Sequence, residues 1–481
     1  MSQTFSKIIP ATAPIGVSCI DYVHPWTQSC LNATCGLYLY CIFDSFRVYS
    51  TVYLLTLLMK GRVPTKEDIK KTFYGILQST AFLSGTGMGY SLFLCLLRKV
   101  LGNFNILTVS AIPAFLSSVF AILIERPSRR TLLALYVSNV ATETLWNMAR
   151  SRDMVGDIKY GNVAIFSISM AILSFYFKSG LHTNSDDCYS DPMFRVMRFV
   201  CGPYEQKGYT SIPDQPNSFH RETEYNRMSS SENSNWQTRK RKNVVLNLAN
   251  QMLKIYNKFL NKIKSCDRHH ACQHPFSCLY YTVEGTGRMF SLGLGLQVAL
   301  KLVLNLPTIV KSPGTMKNIL FRKQNLNLAM FLGFYNGIFR GCLCLLRRIR
   351  GTDSSLHAML AGLIAGTAFV KYPDSTVSLY VLWKVAQITY NLGIEKGIVP
   401  NVPGFTEFLY CFSTAVLFHA AILEPTNLRP SYWKFLHSIS GGRIACMARD
   451  PLDIWGLNTS DSLNTVLTQT KTIPILKNIL V

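Results

Sequence analysis

The sequence predicts an all-α, multi-pass helical membrane protein with two homologous halves and about six to ten spans. Charged residues make up only 16% of the 481 positions, against roughly 25% in ordinary soluble proteins, and mean hydropathy is positive at +0.18. The apolar residues fall in long blocks, and a bilayer span needs about 20 such residues. The third observation is an internal repeat.

The repeat is clearest between Phe82–Gly102 and Phe331–Gly351, which align without a gap. Eight of the 21 positions are identical, including the run LCLLR at 94–98 and 343–347. Matching pairs extend outward: His24-Pro25-Trp26 with His274-Pro275-Phe276, Arg47–Ser50 with Arg288–Ser291, Leu135–Val137 with Leu379–Val381, and Pro192–Arg195 with Pro430–Lys434. A period this long is typical of the halves of a transporter-like membrane protein rather than of a solenoid.

Four segments follow from this repeat. Residues 1–202 form the first repeat, a cysteine-containing N-terminal segment followed by spans. Residues 203–263 form a polar, basic linker that ends in a predicted amphipathic helix at Val244–Ile263. Residues 264–442 form the second repeat, a Cys/His segment followed by spans, and residues 443–481 form a mostly polar tail.

The candidate spans are unequal in strength. The run at 36–59 is interrupted by Asp44 and Arg47 and is weak, and Thr131–Ala149 is helical but amphipathic. The better candidates are Ala81–Leu97, Phe104–Ile124, Gly161–Phe177, Met289–Leu306, Leu326–Leu346, Ser355–Val370, Thr376–Leu392 and Phe405–Leu423. Pro113 lies inside the second of these, so we expect a kink there. With an odd number of crossings per half, the two halves would insert into the membrane in opposite orientations. With an even number, they would insert in the same orientation.

The net charge of +23 is carried by loops, linker and span ends. This distribution favours contact with the bilayer and its anionic head groups, and no nucleic-acid-binding module accompanies it. Residues 1–18 lack both the apolar core of a secretory signal and an Arg-rich amphipathic presequence. We therefore expect insertion into an organelle membrane through internal signals.

Small residues recur at four-residue spacing within the spans, as Gly85 and Gly89, as Gly333, Gly337 and Gly341, and as Gly362 and Gly366. In lipid, such a stripe lets two helix backbones approach closely. The stripes therefore predict helix packing within the chain, with homo-oligomerisation or a lined pore as alternatives.

Three charged residues fall within or near apolar stretches, namely Glu143, Arg340 and Lys384. A charge in the bilayer interior normally faces a partner or a water-filled cavity. A pairing of Arg340 with Glu143 is one hypothesis. The alternative for Glu143 is a shallow helix on which it reaches water or a loop arginine.

Cysteine and histidine cluster where the second repeat begins. The candidate metal ligands are Cys266, His270, Cys272, His274 and Cys278. These residue types suit zinc, but their spacing matches no standard finger. Disulfides and unligated structural cysteines remain alternatives, and disulfides would require an oxidising compartment. The N-terminal counterpart offers Cys19, His24, Cys30 and Cys35.

Catalytic motifs are not evident. The sequence contains neither a G-x-S-x-G elbow nor a P-loop, and Gly85-Thr-Gly87 lies within a span rather than opening a βαβ unit. We therefore predict that the protein is not an enzyme and uses no cofactor.

Several motifs in order resemble the transmembrane protein 135 family, also called peroxisomal membrane protein 52. They are His24-Pro25-Trp26 with its cysteines, Ala121–Arg130, Leu135-Tyr136, Ala141–Leu145, Leu356–Ala358 with Ala361-Gly362, and Leu428–Phe435. The family is distantly similar to the channel subunits of mitochondrial inner-membrane translocases. The linker shows no match to the family.

This resemblance implies a multi-pass protein of mitochondrial and peroxisomal membranes, involved in mitochondrial fission and in peroxisomal and lipid homeostasis. Two mechanisms are open. The chain could be a scaffold that recruits fission or lipid-trafficking proteins through the basic linker. The alternative is a transporter or channel for a lipid-related or small anionic solute, with its path near Glu143 and Arg340.

Overall fold

A computed structural model describes residues 13–58, 63–156, 158–180, 191–206, 244–264, 266–305 and 326–473. Within these ranges the chain forms helices and turns and contains no strand, which confirms the all-α prediction. The principal helices are α1 Cys30–Leu58, α2 Lys66–Leu101, α3 Ala111–Ile124, α4 Pro127–Ser151, α5 Gly161–Ser179, α6 Pro192–Cys201, α7 Val244–Lys264, α8 Cys278–Leu304, α9 Leu326–Arg350, α10 Ser355–Gly366, α11 Ser375–Glu395, α12 Phe405–Leu423, α13 Pro430–Ile439 and α14 Thr459–Thr470.

Shorter helical turns join these elements. They are Cys19–Tyr22, Pro203–Glu205, Thr367–Lys371, Pro425–Asn427, Arg443–Cys446 and Asp450–Trp455. The larger part of the predicted linker, residues 207–243, lies outside the described residues, whereas its last segment forms α7.

Local sequence explains where the helices begin and end. Thr65 caps α2, because its side chain accepts a hydrogen bond from the Asp68 N–H while the Asp68 carboxylate accepts one from the Thr65 N–H. Gly102 ends α2 in the left-handed conformation, at φ +70°. Pro113 lies in the first turn of α3, where its missing N–H would have had no helical partner. The kink expected at Pro113 is therefore not required, since the predicted span Phe104–Ile124 becomes helical only at Ala111.

Four helices in the described part of the chain are long and apolar enough to cross a membrane, namely α2, α5, α9 and α12. Two apolar helical segments are shorter, Ala111–Ile124 and Ser355–Lys371. At 1.5 Å per residue, α3 is about 21 Å long, less than the roughly 30 Å of the hydrocarbon core. The total of six to ten spans stays a prediction.

The chain divides into two compact units. Unit 1 comprises Met1–Lys159 and Ala386–Val481. In it, α1 packs on α2, α2 on α3, and α12 on both α3 and α4. Its core includes Leu94, Val140, Leu417 and Trp433, all fully buried. The predicted polar tail contributes to this core, because Trp455 is 1% exposed and donates its indole N–H to Ala13 O at 2.8 Å.

Unit 2 comprises Tyr160–Val385. In it, α8 packs on α9, α9 on α10, and α10 on α5. Phe166 stacks on Phe369 with ring centroids 4.3 Å apart. The unit boundaries therefore differ from the repeat boundaries: α5, at the end of the first repeat, packs in unit 2, whereas α12, at the end of the second, packs in unit 1.

Candidate functional site: two cysteine–histidine clusters

Cluster A, in unit 1, consists of Cys19, His24, Cys30 and Cys95. One potential ligand atom from each residue lies within 4.8 Å of every other. Cys30 is the first residue of α1, whereas Cys95 lies near the end of α2. Cys19 and His24 come from the segment that precedes α1. Three parts of the chain thus converge on one point.

The ring of His24 is fully buried and held by the turn that follows it. Its Nδ1 lies 2.9 Å from Thr27 O, and its Nε2 lies 3.3 Å from Cys30 Sγ. Because the carbonyl can only accept, Nδ1 carries the proton and Nε2 presents its lone pair to the sulfur atoms.

Arg98 holds the segment before cluster A against α2. It lies three residues after Cys95, on the same helical face. Its guanidinium donates from Nε to Val17 O at 2.7 Å and from Nη2 to Gly16 O at 2.9 Å. This arginine therefore keeps Cys19 close to Cys95.

Cluster B, in unit 2, consists of Cys272, His274, Cys278 and Cys344. Its potential ligand atoms also all lie within 4.8 Å of one another. Cys272 Sγ is 3.7 Å from Cys278 Sγ, and Cys344 Sγ is 3.5 Å from His274 Nε2. Cys272, His274 and Cys344 are buried.

His274 has the same orientation as His24. Its Nδ1 lies 2.7 Å from Phe276 O, so Nε2 is again directed at sulfur. Its ring stacks on Tyr281 with centroids 4.5 Å apart. Arg268 Nη1 donates to His274 O at 2.9 Å and fixes the backbone of the loop.

The two clusters occupy equivalent places in the repeat. Cys95 and Cys344 are the cysteines of the two LCLLR runs, and Cys30 and Cys278 begin α1 and α8. Each cluster thus links the start of the first long helix of a repeat to the second long helix of the same repeat. The strongest sequence identity between the halves therefore coincides with a cluster residue.

One thiol in each cluster ionises easily. A hydrogen bond from Cys95 is the largest effect that lowers the pKa of Cys19, to about 6, and burial opposes it. A hydrogen bond from Cys344 likewise lowers the pKa of Cys272, to about 4, with further help from His274 and Cys278. A thiolate is the form of cysteine that binds metal.

Cluster B differs from the ligand set predicted from the sequence. The structure brings Cys272, His274 and Cys278 together and adds Cys344, while Cys266 and His270 lie outside the group. In cluster A the structure joins Cys19, His24 and Cys30 of the predicted N-terminal counterpart and adds Cys95, while Cys35 lies outside the group. The signal that could have revealed both was the cysteine in each LCLLR run, because the repeat places it at matching positions. The described cysteines are all free thiols.

The glycine stripes lie at helix contacts within each unit. A Cβ on Gly89 would lie 2.8 Å from Ser117 Cβ on α3, and one on Gly333 would lie 3.1 Å from Phe290 Cβ on α8. A Cβ on Gly337 would overlap Thr286 on α8, and those on Gly362 and Gly366 would overlap α5. Gly85 and Gly341 are looser, with the nearest atom at 3.7 Å.

Each of the three predicted intramembrane charges has an ionic partner. Arg429 donates to the Glu143 carboxylate, from Nε at 2.8 Å. Lys384 Nζ lies 2.7 Å from Asp191 Oδ2.

Arg340 Nη1 donates to Tyr281 O at 2.9 Å and lies 3.5 Å from Glu284 Oε2. The hypothesis that Arg340 pairs with Glu143 is therefore wrong, because each is paired within its own unit.

Unit 2 also contains a buried ionic network that was not predicted from the sequence. Glu205, 1% exposed, accepts hydrogen bonds from Arg347 and from Tyr281 OH, and Lys178 Nζ lies 3.5 Å away. Asp353 completes the network, 2.7 Å from Lys178 and 3.0 Å from Arg347. Arg347 is the arginine of the second LCLLR run.

Part of the chain matches a known family model. Residues 16–150 match the model of the N-terminal cysteine-rich region of Transmembrane protein 135. This range contains the whole of cluster A and agrees with the resemblance noted in the sequence. No solved structure matches the chain.

Proposed function

Starting from the transmembrane protein 135 family, which the match over residues 16–150 supports, we propose that this chain is a non-enzymatic membrane protein of mitochondria and peroxisomes. Its role would be to regulate mitochondrial fission and peroxisomal and lipid homeostasis. The family match carries this proposal. The apolar helices α2, α5, α9 and α12 support its membrane part.

Helix α7 supports contact with a membrane surface. Lysines line one face, at Lys254, Lys258 and Lys262. Apolar side chains on another face are exposed, at Met252, Ile255 and Phe259. A helix with this division binds head groups through its cations and the acyl boundary through its apolar side chains. In this proposal, anionic lipids and fission or lipid-trafficking proteins are the partners of the basic linker.

The ion pairs favour a scaffold over a conduit. An unpaired charge that faces a water-filled cavity would be the clearest sign of a conduit for an anion. Glu143, Arg340 and Lys384, the candidates for such a charge, contact opposite charges instead. These contacts support the scaffold, because each of the three charges already has an ionic partner.

The experiment is rescue of cells that lack the protein. Glu205 belongs to a buried ionic network, so a test of the linker must leave it intact. In one variant, glutamine replaces Arg239, Lys240, Arg241 and Lys242. In the control, each of these arginines becomes lysine and each of these lysines becomes arginine, so that the charge is kept. We expect the neutral variant to reach its membranes but lose rescue of mitochondrial morphology and lipid content, measured by microscopy, because attraction to anionic lipid depends on charge. Full rescue by the neutral variant would contradict the scaffold mechanism.

The conduit is tested separately by the double variant Glu143→Gln/Arg429→Gln. Removing both charges leaves no unpaired ion, unlike Glu143→Gln alone. We expect rescue to be retained, since a scaffold does not need this charge in a path. Loss of rescue, together with loss of solute flux in reconstituted vesicles, would favour the transporter.

A further inference from the structure

We propose that clusters A and B each bind one zinc ion through three thiolates and one histidine Nε2, so that the protein carries two structural zinc sites. The ligands are Cys19, His24, Cys30 and Cys95 in the first site and Cys272, His274, Cys278 and Cys344 in the second.

The spacing of the ligand atoms fits a tetrahedral ion. With Zn–S about 2.3 Å and Zn–N about 2.0 Å, the edges of the tetrahedron are about 3.8 Å between sulfur atoms and about 3.5 Å between sulfur and nitrogen. The Cys272–Cys278 separation is 3.7 Å, and the Cys344–His274 separation is 3.5 Å. A disulfide would need the sulfur atoms at about 2.05 Å. These two separations in cluster B therefore match the edges of a tetrahedron around one zinc ion.

The histidines are oriented as metal ligands. A zinc-bound histidine usually donates its other N–H to a carbonyl or carboxylate, which fixes the ring and raises its basicity. His24 Nδ1 lies 2.9 Å from Thr27 O, and His274 Nδ1 lies 2.7 Å from Phe276 O. The same hydrogen bond from histidine Nδ1 to a backbone carbonyl occurs in two loops of different length. Four residues lie between Cys19 and His24, but only one lies between Cys272 and His274.

The donor set favours zinc in a structural role. Thiolate and imidazole suit zinc, and four protein ligands leave no open position for a substrate. On binding, three thiols release their protons and the imidazole binds as the neutral form. The complex then has one net negative charge, and in cluster A the nearby Arg98 guanidinium offsets it.

Each ion would join three parts of the chain. It ties the loop before α1 or α8, and the first residue of that helix, to the C-terminal part of α2 or α9. The bound ion would then hold the two long helices of each unit together at one end, in addition to their packing in lipid.

The test uses the full chain, purified in detergent without chelator, with zinc per chain measured by mass spectrometry. We expect two zinc ions in the wild type, one in Cys95→Ser, one in Cys344→Ser and none in the double variant. Cys342→Ser, two residues from Cys344 on the same helix, is the matched control and should retain two. Cys266→Ser should also retain two. Two ions remaining in the double variant, or iron in place of zinc, would overturn the proposal.

Alkylation of the wild type gives a second measurement that does not depend on the folding of variants. Cys30 and Cys35 are both exposed on α1, but only Cys30 belongs to a cluster. We expect Cys30 to resist maleimide until a zinc chelator is added, while Cys35 reacts throughout. Equal labelling of both before chelation would overturn the proposal, as would release of Cys30 by a reductant instead of a chelator.

Discussion

Glu205 is a buried carboxylate whose charge is balanced by buried cations. Burial opposes its ionised form most strongly, but Arg347 and Lys178 outweigh that effect and lower the pKa of Glu205 below its ordinary value. Removing this acid would leave two buried cations, Lys178 and Arg347, with only Asp353 of the network to balance their charge. Breaking a buried pair from one side costs about 3–5 kcal/mol.

We therefore expect Glu205→Gln to be much less stable than the wild type at neutral pH, measured by thermal unfolding in detergent. A folded-state pKa below the unfolded value gives stability that is present above the unfolded pKa and is lost as pH falls through the folded pKa. The wild type should thus lose stability as pH falls below about 4.5, and Glu205→Gln should lose less.

The control is Glu67→Gln, because Glu67 pairs with Lys71 where both side chains are largely exposed. Such surface pairs contribute about 0–1 kcal/mol. If Glu205→Gln unfolds at the same temperature as Glu67→Gln, the buried network does not stabilise unit 2.

At the scale of the element, the contact between α10 and α5 is made at glycine residues. On α10, Gly362 and Gly366 face Ser174 and Ser167 of α5 so closely that neither has room for a Cβ. In lipid, dispersion contacts and close backbone approach supply the attraction that water would otherwise provide.

We expect Gly366→Ala to destabilise unit 2 by about 1–3 kcal/mol, the usual cost of overpacking, because the added Cβ would overlap the backbone of Ser167. Thermal unfolding in detergent measures the change. Gly295→Ala on α8 is the control, since nothing lies within 4 Å of the position its Cβ would take. Equal unfolding temperatures for the two variants would show that α10 and α5 do not depend on this approach.

At the scale of the whole molecule, neither compact unit is built from one continuous repeat. Unit 1 takes α12, α13 and α14 from the C-terminal end of the chain, and unit 2 takes α5 and α6 from the end of the first repeat. Each unit then contains a cysteine–histidine cluster, a pair of long helices and a short apolar helix. The repeat is therefore preserved in the units, but with its last helices exchanged.

This arrangement predicts that the two halves of the chain do not accumulate alone. Fragment 1–206 lacks α12 for unit 1, and fragment 244–481 lacks α5 for unit 2. We expect carbonate-resistant membrane protein, measured by immunoblot, only when both fragments are co-expressed. The uncut chain expressed at the same level is the control. Accumulation of each fragment alone would instead indicate that residues 1–202 and 264–442 are independent domains.

The sequence by itself determined the all-α membrane class, the repeat and the glycine stripes, because apolar block length and residue spacing along a helix are local properties. It also marked Cys272, His274 and Cys278, which lie close together along the chain. Only the tertiary structure decided that Cys95 and Cys344 complete the two clusters, that Glu143 pairs with Arg429, and that α5 and α12 pack outside their own repeats. Each of these depends on which distant segments pack together, and one-dimensional spacing carries no information on such contacts.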